Sequence, residues 1–218
     1  MVLSFTAALI LGGGLFFLLA EWDNPATLGD MPGWKRVLNA AFQAVTLRTA
    51  GFDTIGQGNL RDSSLAMSCI LMLIGGSSGS TAGGLKTVTV GVLFLTLRAG
   101  LAGREEVTLR GRSISHRRVM NALTLTLIVA VIFLAGSMII SLVDDVPFLS
   151  AAFESASAMA TVGVTVGITP TLSLFSHVLL ICMMFLGRVG IMSFSIAFLA
   201  RSKYPAKIKY PTMDIMIG

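Results

Sequence analysis

The sequence predicts an all-α membrane protein built from two parallel repeats, each made of a span, a short helix, a glycine-centred loop and a second span. Three observations predict this class: the composition, the length of the uncharged stretches, and a similarity between the two halves. Of the 218 residues, 54% are hydrophobic and 12% are charged, and the mean hydropathy is +0.83. Soluble domains carry about 25% charged residues, so the composition indicates a chain that lies in a membrane.

Four stretches with little or no charge make up most of the chain. Residues 2–20 and 119–143 are each long enough for one membrane-spanning helix, which needs about 20 apolar residues. Residues 155–187 carry no charge and residues 63–97 carry only Lys86, but both stretches are too long for a single span. We therefore expect a break inside each of them.

Charged residues distinguish the two sides of the membrane. The linker 98–118 and the tail 201–218 together hold ten Lys and Arg residues and three acidic residues, whereas the remaining loops hold eight acidic and four basic residues. Because loops rich in Lys and Arg stay in the cytoplasm, both segments are predicted to be cytoplasmic. The acidic side would concentrate cations, although exposed loops are polar in any case.

Two basic residues, Lys86 and Arg188, fall inside apolar stretches. A charge at membrane depth is costly unless it meets water or a partner, so both residues are functional candidates. For Lys86 the alternative is that its long side chain extends to the membrane surface.

An internal similarity relates the two halves. Gly51 and Gly75 are 24 positions apart, as are Gly163 and Gly187. Both halves begin with a span that leaves the cytoplasmic side, so the repeat is parallel, and internal repeats are common in transport proteins. The matching stretches are NAAFQAV (39–45) with SAAFESA (150–156), TAGF (49–52) with TVGV (161–164), and LMLIGG (71–76) with MMFLGR (183–188).

Each half also contains a short amphipathic segment, at residues 37–47 and 148–159. A helix of about 11 residues is roughly 16 Å long and crosses only half of a bilayer core. Both segments begin and end on the outer side, so each is predicted to enter the membrane and return through the loop that follows it. Irregular backbone at this depth must be buried in protein or line water, and carbonyl groups exposed there can dehydrate a cation.

The loops after the short helices are the predicted filter segments, residues 49–52 and 161–164. Each places one glycine among neighbouring residues, and glycine readily adopts the backbone angles that turn carbonyl groups inward. The alternative is a simple re-entrant turn, but two copies at matching positions favour a filter. The candidate residues are Thr49, Ala50, Gly51, Phe52, Thr161, Val162, Gly163 and Val164.

The sequence does not favour an enzyme. Its two cysteines and two histidines have neither the spacing of metal ligands nor that of a catalytic set. The stretch GGSSGSTAGGLKT is similar to a phosphate-binding loop, but Leu85 separates Gly84 from Lys86, so the strict pattern is not met. We therefore expect no organic cofactor and no nucleic-acid partner.

Several motifs together resemble the Trk/Ktr-type potassium uptake channel subunits. They are TLRTAGFDTI, GGSSGSTAGGLKT, ATVGVTVGITPTLS, MMFLGRVGIMSF and the closing KYPTMDIMIG. The resemblance covers nearly the whole chain and implies two span–pore-helix–filter loop–span repeats of a K⁺-channel-like pore. These correspond to the third and fourth of the family's four repeats, its C-terminal half. The resemblance also implies that backbone carbonyls near Gly51 and Gly163 bind K⁺, with Na⁺ coupling in some members.

The same resemblance implies a gate. Residues 75–86, which we call the gating loop, match the intramembrane loop that obstructs the pore below the filter in the third repeat. Lys86 matches the basic residue that ends this loop, and Arg188 is implied to help close it. The implied gate residues are Gly75, Gly76, Ser77, Ser78, Gly79, Ser80, Thr81, Gly83, Gly84, Lys86 and Arg188.

The resemblance implies a multi-pass protein of the cell (cytoplasmic) membrane that works with partners. Its parts are a third-repeat-like unit (1–97), the basic cytoplasmic linker (98–118), a fourth-repeat-like unit (119–200) and the cytoplasmic tail (201–218). The implied partners are a second pore, in a homodimer, and a cytoplasmic nucleotide-binding regulatory subunit. We expect the linker to dock on that subunit or on anionic membrane lipid, or only to determine topology.

The chain departs from the family pattern because it has two repeats instead of four. Three explanations stay open: a separate chain supplies the first two repeats, two copies assemble head-to-tail, or the sequence is a truncated piece of a longer gene. A degenerate half-channel acting as a non-conducting accessory protein is the main alternative function, and a secondary transporter is a third. The paired short helices and T-x-G loops favour the channel-like pore.

Overall fold

The computed structural model describes residues 2–189 except 78, 79, 81, 105 and 110. These residues are mostly helical, as the sequence predicts. The helices are α1 (Val2–Ala20), α2 (Gly33–Thr46), α3 (Asp62–Leu73), α4 (Thr87–Leu101), α5 (His116–Asp144), α6 (Phe148–Ala160) and α7 (Leu174–Val189). The gate residues Ser78, Gly79 and Thr81 and the tail 201–218 lie outside the described residues.

The long apolar stretches are divided between helices. α1 and α5 are each long and apolar enough to cross a membrane, whereas α3, α4 and α7 are shorter apolar helices. The stretch 63–97 is divided because α3 ends at Leu73 and α4 begins at Thr87. Glycine and serine, which dominate the residues between these helices, are weaker helix formers than the apolar residues on either side.

The all-α prediction is wrong for part of the linker. Strands β1 (Thr108–Leu109) and β2 (Arg112–Ser113) form a small antiparallel sheet, in which Thr108 pairs with Ser113. The turn between them contains Gly111 at φ +77°, a conformation that suits glycine and allows a tight reversal. The linker is therefore a short hairpin flanked by the ends of α4 and α5.

The short helices differ in their surroundings. Every residue of α6 from Ala151 to Ala160 is buried, and most of them are alanine or serine, which lets α3, α5 and α7 approach closely. α2 is amphipathic and packs its small residues, including Ala40 and Ala44, against α1. Trp34 and Leu38 on α2 stay exposed. α6 is thus the central helix of the described chain.

One apolar core joins the two halves. Leu71 and Met72 of α3 belong to the same buried cluster as Phe153 and Ala156 of α6, together with Phe17 of α1. Because burial of apolar side chains stabilises the fold in proportion to the area removed from solvent, the halves stabilise each other. A second buried cluster, around Met159 and Met183, joins α6 to α5 and α7.

A carboxylate ties the first span of each half to the second. Glu21, fully buried at the end of α1, accepts hydrogen bonds from the Arg61 N–H at 3.0 Å and from the Ser64 hydroxyl at the start of α3. Asp144, at the end of α5, accepts one from the Ser173 N–H at 2.8 Å, just before α7. Arg61 and Ser173 are 112 positions apart, so the same contact recurs in both halves.

Candidate functional site

The first predicted filter segment leaves the end of α2 in a strained conformation. Thr49 has φ +74° and Gly51 has φ +77°. The Thr46 hydroxyl donates to the Phe52 carbonyl at 2.6 Å and accepts the Phe52 N–H at 2.9 Å. A β-branched residue at positive φ is rare and costs about 1–3 kcal/mol, which is typical of functional positions.

The second predicted filter segment has the same pattern at the end of α6. Thr161 has φ +56° and Gly163 has φ +92°. The Ser157 hydroxyl donates to the Val164 carbonyl at 2.6 Å and accepts the Gly163 N–H at 3.3 Å. In both segments a threonine and a glycine at positive φ flank one residue, Ala50 or Val162, that is not at positive φ.

The two segments lie against each other. A Cβ atom on Gly51 would be 2.5 Å from the Val162 carbonyl oxygen, and one on Gly163 would be 4.0 Å from the Gly51 Cα. Val162 and Val164 are buried, whereas Ala50 and Phe52 are exposed. The structure therefore brings all eight residues predicted from the sequence into two adjacent turns of backbone.

Buried polar side chains hold the chain after each segment. Gln43 of α2 and Gln57 form two reciprocal hydrogen bonds, of 2.6 and 3.0 Å. Gln57 also donates to Asp53 at 2.8 Å. Partial burial alone would raise the pKa of the Asp53 carboxyl. Hydrogen bonds from Gln57 and from neighbouring backbone N–H groups outweigh this effect and hold the pKa below its ordinary value.

The matching side chain of the second half is Glu154 of α6. Its carboxylate accepts hydrogen bonds from the Thr165 hydroxyl at 2.5 Å, the Thr169 hydroxyl at 2.9 Å and the Val166 N–H at 3.1 Å. Sequence reasoning missed Gln43 and Glu154. The signal was present, because the repeat aligns AAFQ with AAFE and thereby places a polar residue at the same point of each short helix.

The gating loop contacts the second predicted filter segment and also Arg48, the residue just before the first segment. The Gly83 N–H donates to the Thr161 hydroxyl at 3.0 Å, and the Arg48 guanidinium donates to the Gly75 carbonyl at 3.3 Å. A Cβ atom on Gly83 would be 2.8 Å from the Ala160 carbonyl oxygen, so the loop packs on the end of α6. Arg48 is a third residue that sequence reasoning missed.

The two basic candidates occupy different places. The Lys86 ammonium donates to the carbonyls of Ala82 at 2.5 Å and Ser80 at 3.1 Å, so it closes the gating loop on itself. Arg188, in the last turn of α7, lines a cavity of about 650 Å³ together with Thr161 and Gly163. Arg188 therefore shares a cavity with the second predicted filter segment.

The fold and the site define a helical membrane protein with two strained, glycine-centred loops that meet at its centre. The chain belongs to the TrkH family of cation transport proteins, whose model matches residues 1–206. The family predicted from the motifs is thereby confirmed.

Named relatives agree with this assignment. The chain is 39% identical to the potassium/sodium uptake protein NtpJ of Enterococcus hirae, over 99% of this chain and 49% of that protein. It is 34% identical to the Ktr system potassium uptake protein B of Bacillus subtilis, over 94% of this chain and 45% of that protein. These names describe ion uptake, which fits the expectation that the chain is not an enzyme.

A solved structure has the same fold. The crystal structure of the potassium transporter TrkH from Vibrio parahaemolyticus matches with a TM-score of 0.70 and 22% sequence identity. The match covers 90% of this chain and 43% of that one. The chain thus spans about half the length of the relatives that it matches.

Proposed function

We propose that this chain supplies two filter segments of a potassium uptake pathway in the cytoplasmic membrane. The observation that carries the proposal is the pair of T-x-G turns, each strained at threonine and glycine, which meet at Gly51 and Gly163. We infer that carbonyl groups of these turns face the ion path, where they can replace the water around a weakly hydrated cation such as K⁺. The acidic residues of the outer loops would raise the local cation concentration.

Two segments make half of a filter, so the pathway needs further segments. α3 is covered by α6, and its Cys69 and Met72 are buried. The repeat offset of 112 positions matches Cys69 with Ile181 and Met72 with Met184 of α7. Ile181 and Met184 are 61% and 47% exposed. This bare face fits another short helix, supplied by the first two repeats in a longer or separate chain, or by a second copy placed head-to-tail.

The gating loop controls passage in this proposal. Its contacts with Arg48 and Thr161 hold it against the two filter segments, so it has to leave them before an ion can pass. Arg188 lines the cavity beside Gly163, where its positive charge opposes an entering cation. Charge repulsion and obstruction then act together while the loop is closed.

The wider assembly follows the family. We propose a homodimer of pores on a cytoplasmic nucleotide-binding regulatory subunit, with the linker hairpin facing that subunit or anionic lipid. Na⁺ coupling is a possible addition, since the NtpJ relative is named a potassium/sodium uptake protein.

A non-conducting accessory half-channel is the second candidate, favoured by the chain's half-length match to its relatives. Growth of a K⁺-uptake-deficient bacterium at low K⁺ separates the two. The gene is tested alone and with its native flanking region. We expect rescue in at least one arrangement; rescue in neither, with the protein present in the membrane, contradicts the uptake proposal.

A further inference from the structure

We propose that Thr46 and Ser157 are positioning residues that set the ion preference of the two filter segments. Neither side chain is among the residues that supply the predicted filter carbonyls. Each hydroxyl instead fixes the peptide groups that follow the strained threonine. This inference rests on the proposed function and adds to it the residues that hold the filter in shape.

The geometry shows why a hydroxyl is needed. Ser157 accepts the Gly163 N–H and donates to the Val164 carbonyl, and Thr46 both accepts from and donates to Phe52. A hydroxyl can donate and accept at once, so a single side chain fixes an N–H and a C=O together. Thr46 is fully buried and Ser157 is 5% exposed, so little water is available to replace either contact.

A second polar side chain lies one helical turn earlier on each short helix. Gln43 precedes Thr46 by three positions and Glu154 precedes Ser157 by three, so each pair lies on one helix face. Gln43 holds Gln57, and Glu154 holds the chain at 165–169. The hydroxyl of Thr46 or Ser157 thus fixes the filter segment itself. The longer side chain, Gln43 or Glu154, fixes the chain that follows the segment.

The arrangement recurs although the residues differ. Thr46 and Ser157 are 111 positions apart, as are Gln43 and Glu154, whereas the glycines Gly51 and Gly163 are 112 apart. Each hydroxyl donates to the carbonyl at the matching position, Phe52 or Val164, whereas the N–H that it accepts lies at Phe52 in the first half and one position earlier, at Gly163, in the second. Such recurrence is expected if each hydroxyl serves to hold the loop in one conformation. It is not expected if each hydroxyl only packs against its neighbours.

The chain offers a matched control on α6. Ser155 is fully buried, two positions before Ser157, and its hydroxyl has no hydrogen-bond partner among the described residues. Ser155→Ala therefore removes a buried hydroxyl from the same helix without releasing a filter peptide. On α2, Thr46→Val keeps the side-chain shape and removes the hydroxyl, whereas Thr46→Ser keeps the hydroxyl.

The test measures Rb⁺ and Na⁺ uptake by a K⁺-uptake-deficient bacterium that carries the gene with its native flanking region. We expect Ser157→Ala and Thr46→Val to lower the ratio of Rb⁺ to Na⁺ uptake about five- to tenfold, because filter carbonyls are no longer held. Ser155→Ala and Thr46→Ser should stay within about twofold of the parent. Membrane abundance of each variant is measured in parallel.

Different failures have different meanings. An unchanged ratio in both hydroxyl-free variants, while Gly163→Ala lowers it, overturns the positioning role and leaves the proposed function standing. If Ser157→Ala and Thr46→Val are both absent from the membrane while Ser155→Ala and Thr46→Ser are present, the hydroxyls serve folding alone. This result also overturns the inference. No uptake by the parent, or an unchanged ratio in Gly163→Ala, overturns the proposed function and this inference with it.

Discussion

At the residue scale, the site is defined by backbone conformation more than by side-chain chemistry. Thr49 and Thr161 adopt positive φ at a cost that an ordinary turn avoids by using glycine or asparagine. Each strained threonine is followed two positions later by a glycine at positive φ. Strain of this kind persists only where surrounding contacts enforce it, and here those contacts come from Thr46 and Ser157.

Sequence alone predicted the glycines but not the contacts that shape the loops. The repeat placed Gly51 and Gly163 at matching positions, because a period in the sequence is visible without coordinates. The bond from Arg48 to Gly75 crosses 27 positions and that from Gly83 to Thr161 crosses 78. Such contacts depend on how helices pack, which no local pattern encodes.

Gly51→Ala should destabilise the chain by about 2–4 kcal/mol, because an added methyl is strained at φ +77° and overlaps the Val162 carbonyl. Thermal unfolding in detergent measures the effect as a lower midpoint. Gly12→Ala is the matched control, since its Cβ would meet no atom within 4 Å inside α1. A Gly51→Ala midpoint equal to that of the control contradicts the close approach of the two segments.

At the element scale, the bounds of the long helices are the feature that the sequence predicts best. α1 covers the uncharged stretch 2–20. α5 covers the uncharged stretch 119–143 and begins a few residues earlier, at His116. Hydropathy predicts such elements because a spanning helix needs a long apolar run. The hairpin at Thr108–Ser113 was missed, because strands of two residues carry no periodicity.

The gating loop is an element whose attachment can be tested. Thr161→Val keeps the side-chain shape but removes the acceptor of the Gly83 N–H, so the gating loop loses a hydrogen bond to the second predicted filter segment. We expect Rb⁺ uptake to rise about two- to fivefold, and Thr161→Ser, which keeps the hydroxyl, to resemble the parent. Unchanged or lower uptake in Thr161→Val, with normal protein levels, argues that this bond does not restrain the gate.

The link between α1 and α3 predicts a pH dependence. Burial raises the pKa of the Glu21 carboxyl, but hydrogen bonds from Ser64, Asn24, the Arg61 N–H and Thr27 outweigh it and leave the pKa below its ordinary value. Since the folded pKa is the lower one, this stabilisation is complete above the pKa of the unfolded chain. It is lost as the pH falls through the folded pKa.

Glu21→Gln should therefore unfold at a lower temperature than the parent at pH 7, and the difference should shrink as the pH falls from about 5 to about 3. Thermal unfolding across this range measures both quantities. Asp23→Asn, at an exposed neighbouring position, should leave the midpoint at pH 7 unchanged. A constant difference between Glu21→Gln and the parent at all pH values contradicts the role of the ionised carboxylate.

At the scale of the whole molecule, the main feature is the unequal exposure of two short apolar helices, α3 and α7. α3 is covered by α6, whereas α7 exposes the corresponding face. Sequence predicted that the chain holds two of four repeats, but it could not show which surface the others cover. In our proposal that surface is the exposed face of α7, because α6 covers the corresponding face of α3.

The difference in exposure between α3 and α7 predicts where a bulky residue would block the docking of another short helix on α7. Ile181 corresponds to buried Cys69, whereas Cys182 corresponds to Ile70, which is 54% exposed. Ile181→Trp should therefore abolish growth rescue by blocking the next short helix, whereas Cys182→Trp, at an exposed position whose counterpart is also exposed, should preserve it. Equal rescue by both variants contradicts an interface on this face of α7.

The central claim is that the loops at Gly51 and Gly163 form part of a potassium filter. The K⁺/Na⁺ permeability ratio of the purified assembly in liposomes tests it most directly, with Gly163→Ala compared with the parent. At φ +92° an alanine is strained by about 1–3 kcal/mol, while among the described residues its Cβ meets only the Gly51 Cα, at 4.0 Å, so the loop changes shape without a large clash. We predict a parent that prefers K⁺ and a ratio about tenfold lower in Gly163→Ala; equal ratios in the two proteins would contradict the claim.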